Sequence, residues 1–265
     1  MASALLRAAH VRKDRGPWVL DDTVSARLVT ADQARPIEAV MSAWPAEVHA
    51  AVRLRHSVRT RLAEDIAVSG LAAGLDQYVL LGAGLDTFAW RNRYADRFSV
   101  WELDHPDTQA WKRAALAHAG LTEHNVRFEP IDLAATDLAS LSTPSRAMWS
   151  WMGVTMYLPR AATEAVLRAI AAHRPGTTLA LDFNLALTEP DEDTRAVLAA
   201  TATALAAFDE PLTTSYTPTD ADSLLREAGF TDVALWDADA LRERYFPQRP
   251  DLPDHRASLV AVATV

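Results

Sequence analysis

The sequence contains no cysteine. Disulfides and thiolate metal sites are therefore excluded. It also lacks any long hydrophobic run: no stretch approaches the roughly 18 to 20 apolar residues that span a bilayer. The opening Ala4-Leu5-Leu6 is too short for the apolar core of a signal peptide, and Arg12, Lys13 and Arg15 follow it. A cytoplasmic location is expected. Basic charge is in deficit, with 26 Lys and Arg against 35 Asp and Glu and a formal net charge of −9. Such a chain repels phosphate backbones unless it carries a local basic stripe. The densest candidate, Arg53, Arg55, Arg59 and Arg61, has no interleaved aromatics, which argues against nucleic acid. What is present is apolar material. A hydrophobic share of 49% in 265 residues suffices for one large core, or one core with a helical appendage.

Residues 1–70 read as helical, most clearly Ala46 to Ser69, where Val48, Val52, Val58, Leu62 and Ile66 recur at helical spacing. Seven short apolar runs then follow: Tyr78–Leu81, Ser99–Leu103, Val126–Ile131, Ala147–Met152, Thr177–Phe183, Val233–Trp236 and Ser258–Thr264. Continuous apolar runs are what strands buried on both faces look like. Between them lie amphipathic stretches, Arg160–His173 and Pro218–Ala228. Strand-helix alternation of this kind predicts a doubly wound, mostly parallel sheet. Residues 185–217 are too long for a simple connection. With a helical pattern over Thr194–Phe208, they read as an insertion over the sheet edge.

Four segments carry chemistry. Gly82-Ala83-Gly84-Leu85-Asp86 follows the first strand, where glycines let backbone turn sharply and approach a ligand. Thr87 stands where a dinucleotide fingerprint would have its third glycine. Asp104 ends the second strand, 22 residues after Gly82. It is placed to accept from both ribose hydroxyls of a nucleoside, or else to cap the following helix. Asp132, with Leu133 beside it, ends the third strand and suits either an adenine amino group or a plain helix cap. The run Trp151-Met152-Gly153-Val154-Thr155-Met156-Tyr157-Leu158-Pro159 leaves the fourth strand at the switch in strand order, where its aromatic and Met side chains suit a sulfonium and an apolar substrate. No histidine, His56 and His105 included, has metal-ligand spacing, so no metal is expected.

The runs VLLGAGLDTFAWR, VWELDHPDTQAWKRAAL, IDL and GVTMYLP together resemble the leucine carboxyl methyltransferase superfamily. The likeness is strongest to its short bacterial branch, typified by the carboxyl O-methyltransferase of tetracenomycin polyketide biosynthesis. The resemblance implies an α/β, class I methyltransferase fold with a Rossmann-like seven-stranded sheet, its last strand antiparallel. It implies a single domain over 1–265: an N-terminal helical cap (1–70), a core (75–184 and 218–265) and a lid insertion between strands five and six (185–217). It implies S-adenosyl-L-methionine as methyl donor, with Arg59 on the donor carboxylate, Gly82 and Gly84 under the methionine part, Asp104 on the ribose, and Asp132 and Leu133 by the adenine. The family often has Glu where this chain has Met152, so one donor contact is missing or made elsewhere.

The expected reaction is methyl ester formation on a small, polyketide-like carboxylic acid. A carboxylate needs no base, and none stands between Met148 and Pro159. Tyr157, Asn184 and Arg244 are the candidates for holding the acceptor, and Trp18, Trp44 and Phe208 for its walls. The alternatives are a hydroxyl O-methyltransferase, a nicotinamide oxidoreductase, and a non-catalytic S-adenosylmethionine-binding protein. The chain is expected to act as a monomer or homodimer, without nucleic acid or membrane.

Overall fold

The computed structural model describes residues 1–91, 93–123, 125–133 and 146–265. Four helices come first: α1 (Ala2–Lys13), α2 (Ser25–Leu28), α3 (Ala31–Ser42) and the long α4 (Ala46–Gly70). Then follow β1 (Gln77–Leu81), α5 (Phe88–Arg91), β2 (Ser99–Asp104), α6 (Pro106–His118), β3 (Val126–Pro130) and β4 (Ala147–Trp151). The rest is α7 (Arg160–Ala171), β5 (Thr178–Asn184), α8 (Glu192–Ala207), α9 (Pro218–Ala228), β6 (Asp232–Trp236), α10 (Ala238–Tyr245) and β7 (Ser258–Thr264). No helix among the described residues is long and apolar enough to cross a membrane.

The seven strands form one sheet in the order β3-β2-β1-β4-β5-β7-β6. All neighbours pair in parallel except β7, which runs antiparallel to both β5 and β6. The last strand is thus antiparallel, as expected. Strand order reverses between β1 and β4, and that is where the crevice of an open α/β sheet lies.

Strand residues alternate between two cores. Val79, Leu81, Trp149, Trp151, Leu179 and Leu181 pack towards α7 and α9, while Tyr78, Leu80, Met148 and Ala180 pack towards α4 and Phe88. This is the pleat at work: consecutive side chains point to opposite faces, and both faces are covered. On α7, Val166, Leu167 and Ile170 are fully buried, each contributing roughly 1.5–3 kcal/mol. Local chemistry fixes the ends of α9. Thr217 and Asp220 make a reciprocal capping box, Pro218 opens the helix, and Gly229 closes it at φ +116°.

Two features differ from expectation. The helix expected over Arg160–His173 stops at Ala171, just ahead of the Pro-Gly turn at 175–176. Helix α10, between β6 and β7, was not anticipated. It is eight residues long and buries only Ala238, so it leaves almost no apolar stripe to read.

Candidate active site

The turn after β1 is built on backbone that side chains disfavour. Gly82 and Gly84 have φ of +65° and +50°, the left-handed region that glycine enters without a Cβ penalty. They differ in surroundings. A Cβ on Gly82 would stand 2.6 Å from Val154 Cγ2, whereas one on Gly84 would meet nothing within 4 Å. Packing inside the protein requires the first glycine; the second is favoured by its backbone conformation alone. Asp104 braces this turn: its Oδ2 accepts from Gly84 N–H and its Oδ1 from His105 N–H. The N-cap of α6 is His105, not Asp104. Each carboxylate oxygen keeps a second lone pair.

Thr87 has a different job from the glycine it replaces. Fully buried, it donates its hydroxyl to Asp22 Oδ1 at 2.8 Å and accepts from Arg91 Nε at 2.8 Å. Asp22 also accepts from Arg7 Nε and Ser25 N–H, and Arg7 donates to the carbonyl of Leu85 at 2.6 Å. The N-terminal helices are thereby tied into the glycine turn. Burial alone would push the Asp22 carboxyl up, but the Arg7 and Arg91 charges outweigh it and hold the carboxyl well below the usual range.

Across the turn, α4 presents Arg55, His56 and Arg59. Residues four apart share a helix face, so both guanidiniums reach one acid, Asp182 of β5. Arg59 Nη1 lies 2.6 Å and Arg55 Nη2 3.2 Å from Asp182 Oδ2, and Asp182 Oδ1 accepts from Gly153 N–H at 2.5 Å. Arg55 also donates to Asn184 Oδ1 at 2.7 Å, while its Nε is buried without a partner. Burial lowers the Arg55 guanidinium to about 10, with Asp182 opposing the shift, so it stays cationic at neutral pH. Arg59 Nη2 lies 2.9 Å from His56 Nδ1. A guanidinium only donates, so Nδ1 accepts and the neutral ring carries its proton on Nε2. Burial and then the two arginine charges push the His56 imidazole well down, so that ring is neutral at pH 7.

Two cavities meet here. One, about 180 Å³, is lined by the glycine turn with Arg59, Ser150, Met152 and Gly153. The other, about 540 Å³, is lined among others by Trp44, Arg55, His56, Tyr157, Asn184 and Phe208. Met1, Ser3, Arg59 and Gly153 line both. Together they are of the size that small-molecule sites have, roughly 300–1,000 Å³.

The structure therefore brings together Arg59, Gly82, Gly84 and Asp104 on one side, and Tyr157 and Asn184 on the other. Arg244 lines neither cavity. It sits exposed on α10, stacked over Trp236 and donating to Tyr245 Oη. Of the expected walls, Trp44 and Phe208 line the larger cavity and Trp18 does not. Asp132 and Leu133 follow β3, with Leu133 packed on the core; neither lines these two cavities. Sequence reasoning missed Arg55, His56 and Asp182. The signal for Asp182 was available, as a single acid inside an otherwise apolar strand run.

Comparison with known proteins decides between the nucleotide chemistries this turn could serve. Residues 1–171 match the leucine carboxyl methyltransferase family. The chain belongs to that family. It is 26% identical to a putative S-adenosyl-L-methionine-dependent methyltransferase, YktD, of Bacillus subtilis (strain 168), over 95% of this chain and 91% of the relative. It is 31% identical to another such putative methyltransferase, from Mycolicibacterium gilvum (strain PYR-GCK), over 69% of this chain and 74% of the relative. Its fold is that of human N-acetylserotonin methyltransferase in complex with the donor (TM-score 0.51, 15% identity, 99% of this chain and 66% of that one). It is also that of an O-methyltransferase described as putative from Nostoc punctiforme (TM-score 0.53, 12% identity, 99% and 71%). The methyltransferase is thus S-adenosylmethionine-dependent, and its own residues fit that donor. The direction in which a Cβ on Gly84 would point is open, and a carboxylate with free lone pairs stands beside it.

Proposed function

We propose that this methyltransferase forms methyl esters on the carboxylate of a small, apolar, polyketide-like acid. The observation that carries the proposal is the charge balance at the junction of the two cavities, where two guanidiniums face one buried acid. One positive charge is left over, and S-adenosylmethionine, with a sulfonium and an ammonium against one carboxylate, adds another, so the loaded site still calls for an anion.

Bound S-adenosylmethionine supplies an electrophilic methyl group on a sulfonium. The chain supplies positioning. Arg59 holds the donor carboxylate, and the glycine turn at Gly82 and Gly84 lets backbone lie against the methionine part. Asp104 accepts from the ribose hydroxyls, and Asp132 with Leu133 takes the adenine. Arg55 holds the acceptor carboxylate. Asn184 gives its carbonyl oxygen to Arg55, so its amide N–H groups are what it offers the acceptor. Tyr157 is raised above its ordinary value by burial and then by Glu210, so at neutral pH it is a hydrogen-bond donor and not a base. Ile37, Met41, Trp44, Val52 and Phe208 give the acceptor an apolar enclosure.

A carboxylate is ionised at neutral pH and needs only alignment with the methyl group. A hydroxyl acceptor would call for a base. His56 has its Nδ1 lone pair occupied by Arg59, and Glu210, the carboxylate lining this cavity, is exposed.

The test uses methyl-labelled donor with a panel of aromatic and polyketide-like acids. Label on product that mild alkali releases identifies an ester. Arg55→Gln should raise acceptor KM about tenfold or more, the cost of a charged hydrogen bond. Label resistant to alkali would overturn the ester assignment, and so would activity lost in Glu210→Gln but kept in Arg55→Gln.

A further inference from the structure

Asp182 takes two guanidiniums and a backbone N–H beside the two cavities, yet it is only 1% exposed and lines neither of them. Its contacts converge from three elements. From α4 come Arg55 and Arg59, from the turn after β4 comes Gly153 N–H, and Thr155 Oγ1 donates to its backbone carbonyl at 2.7 Å. The sheet register explains how it arrives there. Trp151 stands beside Leu181, so the chain leaves β4 at Met152 next to Asp182.

Gly153 completes the seat. Its φ is +74°, and a Cβ there would come within 2.7 Å of Arg59 Nη2. The guanidinium therefore rests against bare backbone. It is fixed at Nη1 by Asp182 and at Nη2 by His56. Two of the five donors a guanidinium carries are used in this way. Arg59 also lines the donor cavity.

We propose that Asp182 is a positioning residue for donor binding. It orients Arg59 from β5 without touching the donor itself. The inference rests on the reading that Arg59 holds the donor carboxylate. A residue that merely neutralised buried charge would support every ligand alike. A residue that aims Arg59 supports only ligands that Arg59 touches.

That difference is measurable by calorimetry with two probes on the full-length protein. One is S-adenosylhomocysteine; the other is S-adenosyl-3-thiopropylamine, the same molecule without its carboxylate. Asp182→Asn should weaken the first by about tenfold, the scale of one charged hydrogen bond, and leave the second within twofold of wild type. Asp182→Glu keeps the charge and should recover part of the loss. If the Asn variant does not accumulate as folded protein, the Glu variant is read alone. Its carboxylate is displaced by one methylene, so a selective loss for S-adenosylhomocysteine supports the proposal. Equal weakening of both probes, or of neither, overturns it. Arg59→Gln separates the premises. If Arg59→Gln is selective and Asp182→Asn is not, the role of Asp182 fails alone. If Arg59→Gln weakens both probes equally, the Arg59 reading fails and takes the inference with it.

Discussion

At the scale of single residues, the two glycines of the first turn make opposite predictions. Gly82→Ala places a methyl group against Val154 in a backbone conformation costing roughly 1–2 kcal/mol for an L-residue. It should lower the unfolding midpoint by several degrees. Gly84→Ala bears a similar backbone cost but meets no protein atom. Its methyl occupies the space beside Asp104, so donor affinity should fall tenfold or more for a smaller change in stability. Thermal melts read the first effect and donor titration the second. Equal affinity loss in both variants would refute this division. These glycines and Asp104 were legible in the sequence because spacing alone places a strand-end acid beside a strand-end turn. Arg55 and Asp182 were not, because their roles come from an encounter between α4 and β5, elements more than 120 residues apart in sequence. For Arg244 the sequence shows an Arg-Tyr pair but not that the guanidinium lies over Trp236 and donates to Tyr245 Oη.

At the scale of elements, burial on both faces made the sheet easy to read. All seven strands fall within one residue of expectation at either end. The N-terminal helices were harder, because the inward face of α1 mixes Leu5 and Leu6 with Arg7 and His10, all buried. Polar residues on the inner face blur the apolar period that sequence reading depends on. The same polar residues give the cap its attachment. Thr87→Val keeps shape but leaves Asp22 and Arg91 each short of a partner. Buried groups left unsatisfied cost roughly 1–3 kcal/mol each. The variant should unfold at a lower urea midpoint, and amides of α1 should exchange faster. An unchanged midpoint with unchanged exchange would mean that the Thr87 hydroxyl does not help to hold the cap, whose Arg7 contacts to Asp22 and Leu85 remain.

At the scale of the whole molecule, net charge misdescribes the interior. The chain carries −9 overall, yet its core holds Arg7, Arg53 and Arg59 among the buried side chains. Those cations act on two neutral imidazoles. His56 and His255 are both pushed well below the ordinary histidine value, first by burial and then chiefly by the Arg55 and Arg59 charges. The unfolded chain takes up both protons near pH 6.5 and the folded one does not, so protons favour unfolding below that pH. Stability should fall by up to about 1.4 kcal/mol per pH unit for each histidine as pH drops from 6.5. A second loss should begin in the carboxylate range. Burial would raise the Asp14 carboxyl, but hydrogen bonds from Arg53 and His10 bring it to about 2; Asp182, held down by the two arginines against its own burial, adds to it. Their contribution is complete above about pH 4 and is lost as pH falls through the folded values. Urea midpoints taken from pH 7.5 to 3 should therefore change in two stages. Burial raises the Glu64 and Glu102 carboxyls to about 7 against their Arg91 and Lys112 partners, so both take up protons in the fold over the upper range and oppose the histidine slope. His255→Gln should therefore lower the upper slope by up to about 1.4 kcal/mol per pH unit relative to wild type and leave the lower stage in place. An upper slope that neither His255→Gln nor His56→Gln changes would mean that the two rings take up protons in the fold. In that case His56 could no longer accept from Arg59, and the hydrogen bond that helps to seat that guanidinium would not exist.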